Sequence, residues 1–425
     1  MLRAFANAVR IPDLRRKLLF VLGIIVIYRI GAWIPIPGID LEILRDAPAT
    51  GAAAGIVGII NVFAGGALAQ MAVFALGIMP YITASIMMQL LAVVIPRLEE
   101  LKKEGEQGKK KITQYTRYIT IGLALLQSTG LVTLARTGQA FQVDPTNEAG
   151  TGRIILMVLT LTAGTSLIMW LGELISQRGI GNGMSMLIMV SIISQFPSEL
   201  QQVRVTNGMP WVVGVLILGA VLAVGVVFME LGQRRIPVQY ARRQVGRRSY
   251  GGQSTYIPLK INQGGVIPVI FASSLLYLPA LIGQISGSER VQLFVQDYLE
   301  DPTSWAFITL FAVMTIFFAY FYSAITFNPI EIADNMKRYG GFIPGIRPGR
   351  QTAEYLDRVL SRLTLPGSLY LAAIAVSPFI FLAVGNIQAF PLGGVSLLIM
   401  VGVTLQLMQQ IESQMMQRNY EGFLQ

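Results

Sequence analysis

The densest chemistry in this chain is basic. From Arg234 to Lys260 the run RRIPVQYARRQVGRRSYGGQSTYIPLK holds three Arg pairs and a Lys, with Tyr240, Tyr250 and Tyr256 between them and no acid after Glu230. A second polar stretch, Asn328 to Gly367, carries Lys337, Arg338, Arg347, Arg350, Arg358 and Arg362 among glycines and prolines. Basic side chains interleaved with aromatic rings suit a docking surface for a soluble partner. Topology setting and attraction to anionic lipid explain the sign of the charge equally well. They do not explain the dispersed Gly, Pro and Tyr, so the docking surface is the favoured reading.

Other chemistries find no residues. The 425-residue chain has no Cys and no His. That removes thiol catalysis, disulfides and the usual zinc, copper and haem ligands. It contains neither G-x-x-x-x-G-K-[ST] nor HExxH. The run GELISQRGIGNG (Gly172 to Gly183) resembles a phosphate loop only superficially, and it reads as a tight turn between helices. No cofactor is expected, and the chain reads as a non-enzyme.

The elements that must position these loops are membrane spans. The chain is 53% hydrophobic and 13% charged, with a mean hydropathy of +0.58. That is far from the roughly 25% charge of a soluble domain. Ten spans are expected, near 17–35, 71–95, 117–135, 154–175, 184–202, 211–230, 264–284, 305–327, 367–385 and 392–411. The first apolar run continues to Trp33 with no small-residue cleavage site after it, so no cleaved signal peptide is expected. With ten spans, the loops of one side, termini included, hold 27 Lys and Arg, the other side 5, and Arg29 lies within a span. The basic side, and hence both termini, are expected to be cytoplasmic. The short connection near 203–210 divides the spans five and five. An odd number per half inverts one half against the other, as in inverted-repeat membrane proteins with a site between the halves.

One stretch is anomalous. Gly55 to Ile95 is too long for one span of about 20 residues and too short for two. Asn61, Gly65–Gly66 and Gln70 punctuate it. Two readings stay open: a short apolar helix that dips into the membrane and turns back, or a helix lying in the interface. The first requires a cavity, because irregular backbone at membrane depth needs protein or water around it. A full span from about Met71 to Ile95 is expected to follow. The loop 96–117, mixing Glu with Lys, reads as solvated.

Span centres hold almost no ionisable groups; Arg29, Glu173 and Glu230 sit near span ends. A proton- or ion-coupled transporter needs such groups at the midplane. What remains are apolar pairs at helical spacing: Ile78 with Ile82, and Met184 with Ile188. Ordinary packing is the default explanation for each pair.

Nine segments together carry a resemblance: PIPGID (Pro35 to Asp40), NVFAGGAL (Asn61 to Leu68), FALGIMPYITASIMMQLL (Phe74 to Leu91), KKEGEQGKKKITQYTRY (Lys102 to Tyr118), MWLGELISQRGIGNGMS (Met169 to Ser185), GQRRIPVQYARRQVGRR (Gly232 to Arg248), GGVIPVIFASS (Gly264 to Ser274), FNPIEIADNMKRYGGFIPGIRPGRQT (Phe327 to Thr352) and GGVSLLI (Gly393 to Ile399). In this order, over essentially the whole chain, they resemble the bacterial SecY family of protein-conducting channels. The resemblance implies an all-α polytopic protein of the bacterial cytoplasmic (inner) membrane. Ten transmembrane helices would form two pseudo-symmetric inverted halves, 1–205 and 206–425, with a re-entrant plug helix. Such channels pass unfolded secretory polypeptides, recognised by their signal sequences, and release hydrophobic segments sideways into lipid.

The resemblance also implies residue roles. Ile78, Ile82, Met184, Ile188, Ile270 and Ile399 would form a pore ring, with Met184 replacing the commoner Ile and still apolar and adaptable. The plug, about 55–69, would include Ile56, Ile59, Ile60, Asn61, Phe63, Gly65 and Gly66. A lateral gate between spans 2–3 and 7–8 would be lined by Thr83, Gln89, Gln127 and Asn262. Partners would be the small membrane subunits SecE and SecG, the motor ATPase SecA, and the ribosome through its RNA. Arg242, Arg243, Arg247, Arg248 and Arg347 would be the contacts. Apolar rings dewet and block ions while idle. An inverted-repeat secondary transporter and a passive scaffold are the alternatives. The first lacks a polar midplane site. The second predicts no leak when Gly55 to Ala69 is removed.

Overall fold

Long apolar runs become helices because a helix satisfies its own backbone where water is absent. The computed structural model describes residues 11–39, 61, 63–136, 150–240, 243–245, 248–250, 254–273, 275–276, 294–295, 298–299, 304–385 and 393–421. The helices are α1 (Pro12–Gly31), α2 (Met79–Val94), α3 (Pro96–Lys103), α4 (Glu106–Arg136), α5 (Thr151–Arg178), α6 (Gly183–Asn207), α7 (Met209–Leu231), α8 (Trp305–Thr326), α9 (Pro329–Arg338), α10 (Arg350–Gly385) and α11 (Gly394–Glu421). Proline in the first turn starts α1, α2, α3, α7 and α9, where its missing N–H costs nothing. A further helical turn covers 267–273.

Among the described residues, six helical segments are long and apolar enough to cross a membrane, and the bent pair α2–α3 would add a seventh. They correspond to α5, α6, α7, α8 with α9, α10 and α11. α1 and α4 stand where the first and third spans are expected, α1 carrying Arg15, Arg16, Lys17 and Arg29. The expected span at 264–284 is described only in part. The predicted tight turn between α5 and α6 is present: the Asn182 side chain accepts from Met184 N at 3.1 Å, and Ser176 Oγ accepts from Gly183 N at 2.8 Å.

Two expectations fail on local structure. The span predicted to start near Met71 starts at Met79; residues 65–78 are turns apart from a bridge at Ala72. The cause is non-local. Ile36 N donates to Met71 O and Val73 N to Ile34 O, and Pro35 bridges to Ala72. The chain at 71–73 is thus tied by backbone hydrogen bonds to the segment 34–36 that follows the first span. Most of this irregular backbone is buried, which is where such backbone is tolerated. The helix left, α2, has 16 residues, about 24 Å of rise, short of a full crossing. The loop 96–117 is also not a loop: it forms α3, bent 101° from α2, and the first turns of α4.

α1, α2, α4, α5 and α6 pack as one group, and α8 packs on α10, while α11 touches α6, α7 and α10. Beyond the expected all-helical plan, the two basic loops build a small sheet. β1 (Gln233–Tyr240) pairs antiparallel with β4 (Ser254–Lys260), from Gln233 opposite Lys260 to Gln239 opposite Ser254. β2 (Arg243–Val245) and β3 (Arg248–Tyr250) form an inner hairpin. β5 (Gly341–Phe342), from the second loop, adds to the free edge of β1 through Gln239 and Tyr240. Beneath it, Ile236, Val238, Leu259, Met336, Ile343, Leu356 and Val359 form a separate apolar core that fixes the sheet to α9 and α10.

Candidate functional site

A single apolar cluster gathers side chains from both ends of the chain. Ile78, Met184, Ile188, Ile270 and Ile399 are all buried within it, and Ile82 packs against it half-buried. The same cluster contains Phe63, Ala64, Ala67 and Leu68 from the expected plug stretch, and Met71 just after it. Ile78 caps α2 and Ile82 lies in its first turn. Met184 and Ile188 occupy the first two turns of α6, and Ile399 the second turn of α11. Ile270 lies in the helical turn 267–273. None of the six side chains can ionise or donate a hydrogen bond, so their part of the cluster, the waist, is wholly apolar.

Two glycines allow close helix packing beside this waist. A Cβ on Gly183, where α6 begins, would stand 1.9 Å from the carbonyl oxygen of Gly172 on α5. A Cβ on Gly394, where α11 begins, would stand 1.9 Å from the carbonyl oxygen of Ile374 on α10. Each helix therefore starts in backbone contact with its predecessor and carries its ring residue one to five positions later.

The plug stretch is described in part. Ile56, Ile59 and Ile60 lie outside the described residues. Asn61, Phe63 and Ala64 are helical, and the chain then turns through Gly65 (φ 66°) and Gly66 (φ 87°), a conformation glycine adopts freely. Polar groups of α1 and α6 hold this turn. Arg29 Nη1 donates to Gly65 O at 2.9 Å and to Ser194 Oγ at 2.7 Å. Gln195 Nε2 donates to Asn61 O at 2.8 Å, and Asn61 Oδ1 accepts from Ala69 N at 3.0 Å. Reading the sequence missed Ser194 and Gln195. An arginine within a span was the available signal, since such a group needs a partner.

The four gate residues are not joined to one another by hydrogen bonds. Thr83 Oγ1 donates to Met79 O on its own helix at 3.0 Å. Gln89 is exposed, its amide 3.5 Å from Ser85 Oγ, and Gln127 is half-buried. Asn262 is buried and donates to Glu230 Oε1 at 2.5 Å and to Gly265 O at 3.0 Å. Each of these donors thus finds an oxygen nearby. Glu230 is a partner the sequence did not assign. Across the other group of helices, Arg117 Nε donates to Glu173 Oε1 at 2.8 Å and its Nη2 pairs with Oε2, tying α4 to α5.

On the sheet, Arg243 and Arg248 lie on β2 and β3, and Arg242 and Arg247 lie outside the described residues. Arg235 sits over the Tyr256 ring at 4.9 Å. Arg347 is exposed on the turn after β5, and its carbonyl accepts from the buried Thr352 Oγ1 at 2.9 Å.

Fold and site define a polytopic helical membrane protein with an apolar waist and a basic sheet. A profile of the SecY family matches residues 72–408, and the chain belongs to that family. It is 58% identical over 439 residues to the protein translocase subunit SecY of Streptomyces scabiei, with all of both chains covered. Two solved structures share the fold. One is the canine Sec61 in a ribosome-channel complex from the endoplasmic reticulum, at 16% identity and a TM-score of 0.61, covering 93% of this chain and 91% of that one. The other is a SecY in which the plug domain is described as stabilising the closed state and maintaining a membrane seal. It shows 17% identity and a TM-score of 0.63, with 93% and 91% covered.

Proposed function

We propose that this chain is the channel subunit of a protein translocase, and that Ile78, Ile82, Met184, Ile188, Ile270 and Ile399 form the ring through which unfolded polypeptide passes. The observation that carries this reading is the convergence of six apolar side chains from four separated segments into one cluster, with the plug stretch packed on it. A ring without hydrogen-bonding groups excludes ions by staying dry and offers a sliding chain nothing specific to bind. The polar midplane site that a secondary transporter needs is missing from these six positions.

The same reading extends to parts with less direct support. The halves 1–205 and 206–425 are taken as an inverted pair, supported by the matching starts of α6 at Gly183 and α11 at Gly394. The plug is the stretch about 55–69. The lateral gate runs between spans 2–3 and 7–8, with Thr83, Gln89, Gln127 and Asn262 along it, and hydrophobic segments leave there into lipid. The chain resides in the bacterial inner membrane with its basic side and both termini in the cytoplasm, supported by the distribution of Lys and Arg. The basic sheet and the Arg347 turn receive a motor ATPase of the SecA type and the ribosome, which supply the energy this subunit has no site to generate. Small subunits of the SecE and SecG type cover apolar helix faces.

The test is crosslinking of a stalled secretory precursor to photoreactive residues placed at positions 82, 188, 270 and 399. All four are expected to label the precursor, and position 217, exposed on α7, is expected not to. Labelling at 217 with none at the four ring positions would overturn the ring.

A further inference from the structure

We propose that Arg29 is a positioning residue that, with Ser194 and Gln195, clasps the backbone of the plug stretch and holds it seated while the waist is dry. The proposal rests on the reading of 55–69 as the plug. Arg29 stands in the last turn of α1, partly buried, and among the described residues no carboxylate lies within ion-pair distance of it. Its acceptors are neutral: Gly65 O and Ser194 Oγ. An intramembrane charge placed on neutral oxygens calls for a functional account.

The clasp has a definite shape. Gln195 grips the carbonyl of Asn61, and Arg29 grips the carbonyl of Gly65 four residues later. Both carbonyls belong to the expected plug stretch itself, at and just before its Gly65–Gly66 turn. Both donors come from elements that do not belong to it. Tyr28 Oη, 2.6 Å from Ser191 Oγ, pins α1 to α6 beside the clasp, and the Tyr28 ring stacks on Phe74 at 5.7 Å. These contacts brace the frame that carries the two donors.

The physics makes the clasp sensitive to water. In a dry, low-dielectric site a guanidinium without its acceptors is costly, so its bonds to Gly65 and Ser194 hold firmly. Once a chain enters and the pore fills with water, solvent replaces the lost acceptors and release becomes easy. The plug is thus held most strongly in the idle channel and most weakly in the channel at work. Two features of the geometry sharpen this. Both bonds of Arg29 leave the same nitrogen, Nη1, so a single ammonium with three donors can replace them. The carbonyl of Gly65 is backbone, so no substitution there removes the acceptor.

The experiment measures idle conductance of the channel, purified from membranes with its co-purifying subunits, in planar bilayers. Arg29→Met is expected to raise the frequency of opening roughly tenfold or more, the size of a lost charge-assisted hydrogen bond. Arg29→Lys is expected to stay close to wild type. In a channel lacking 55–69, which should itself leak, Arg29→Met is expected to add nothing. Wild-type conductance for Arg29→Met would overturn the clasp while leaving the plug intact. An added leak in the deleted background would overturn it too, as general distortion. If deletion of 55–69 leaves conductance unchanged, the plug reading fails first and the clasp with it. Should Arg29→Met not accumulate, Gln195→Leu serves, and the absence of any rise in conductance there overturns the proposal.

Discussion

The waist draws its six side chains from four segments between Ile78 and Ile399, whereas the basic sheet draws its strands from two loops and binds them by a hydrogen-bonded ladder. In the waist everything faces inward and the packing is side chain on side chain, helped by helix starts in backbone contact. In the sheet the ladder and a small core under one face carry the structure, and the other face is left free to vary its charges. The waist should therefore lose its seal when side-chain volume is removed from it. The sheet should tolerate surface changes structurally while losing partners.

The sharpest break of this contrast is at Gly183. Alanine there puts a Cβ 1.9 Å from the Gly172 carbonyl, and two helix backbones must separate. Overpacking of this kind costs about 1–3 kcal/mol or more. Thermal unfolding of the purified channel in detergent should fall clearly for Gly183→Ala. Gly214→Ala, on α7 with no atom within 4 Å of the added carbon, should be unchanged. Equal melting of the two would remove backbone contact as the basis of the waist.

Next in size is the ring itself. Ile82→Gly combined with Ile270→Gly removes two branched side chains from facing elements, and the widened waist should wet. Idle ion conductance is expected to rise severalfold while folding is retained. A double variant that conducts like wild type would remove these residues from the barrier.

Third comes the core beneath the sheet. Ile236 is 2% exposed among Val238, Leu259 and Leu356, and Ile236→Ala should cost the sheet about 2–5 kcal/mol. Precursor transport in vesicles is expected to drop while idle conductance stays at the wild-type level. A leak in this variant would show that sheet and waist are not independent.

The sequence displayed these two regions unequally. Apolar runs announced most helices, because a span is a local property of about 20 residues; Ile78–Ile82 and Met184–Ile188 stood at helical spacing, but only the family resemblance set them apart from ordinary packing. The late start of α2 was hidden, because it depends on Pro35 meeting Ala72 across a turn. The sheet was hidden as well: β5 is two residues long and exists only because the edge of β1, a hundred residues earlier in the chain, receives it. Asn262 was visible as a polar residue, but its partner Glu230, 32 positions away, was not. Arg29 was visible as an odd charge, but its acceptors, Gly65 O and Ser194 Oγ, lie 36 and 165 residues away. Local periodicity cannot reveal any of these contacts.

The finest separation of the two regions is Arg347 to Lys. Gly345 (φ 83°) and Gly349 (φ 105°) bend the chain on either side. Ile343 is buried in the core beneath the sheet, and Ile346 packs against it. Thr352, itself buried, ties the Arg347 carbonyl to the start of α10. Pro348 keeps Arg347 out of helical angles. The backbone is thus fixed and the guanidinium is exposed, which is how a contact is presented and not how a fold is held. A planar guanidinium grips carboxylate or phosphate through two parallel bonds that an ammonium cannot reproduce. Arg350, past the bend, spends its guanidinium on Glu354 at 3.0 Å along its own helix, an exposed pair worth at most a few tenths of a kcal/mol. Arg347→Lys is therefore expected to lower precursor transport in vesicles with melting temperature, abundance and idle conductance all unchanged, and Arg350→Lys to be much milder. Full transport by the Arg347→Lys channel would leave Arg347 as one more charge that sets topology. The docking surface would then have to be sought on the β2–β3 hairpin.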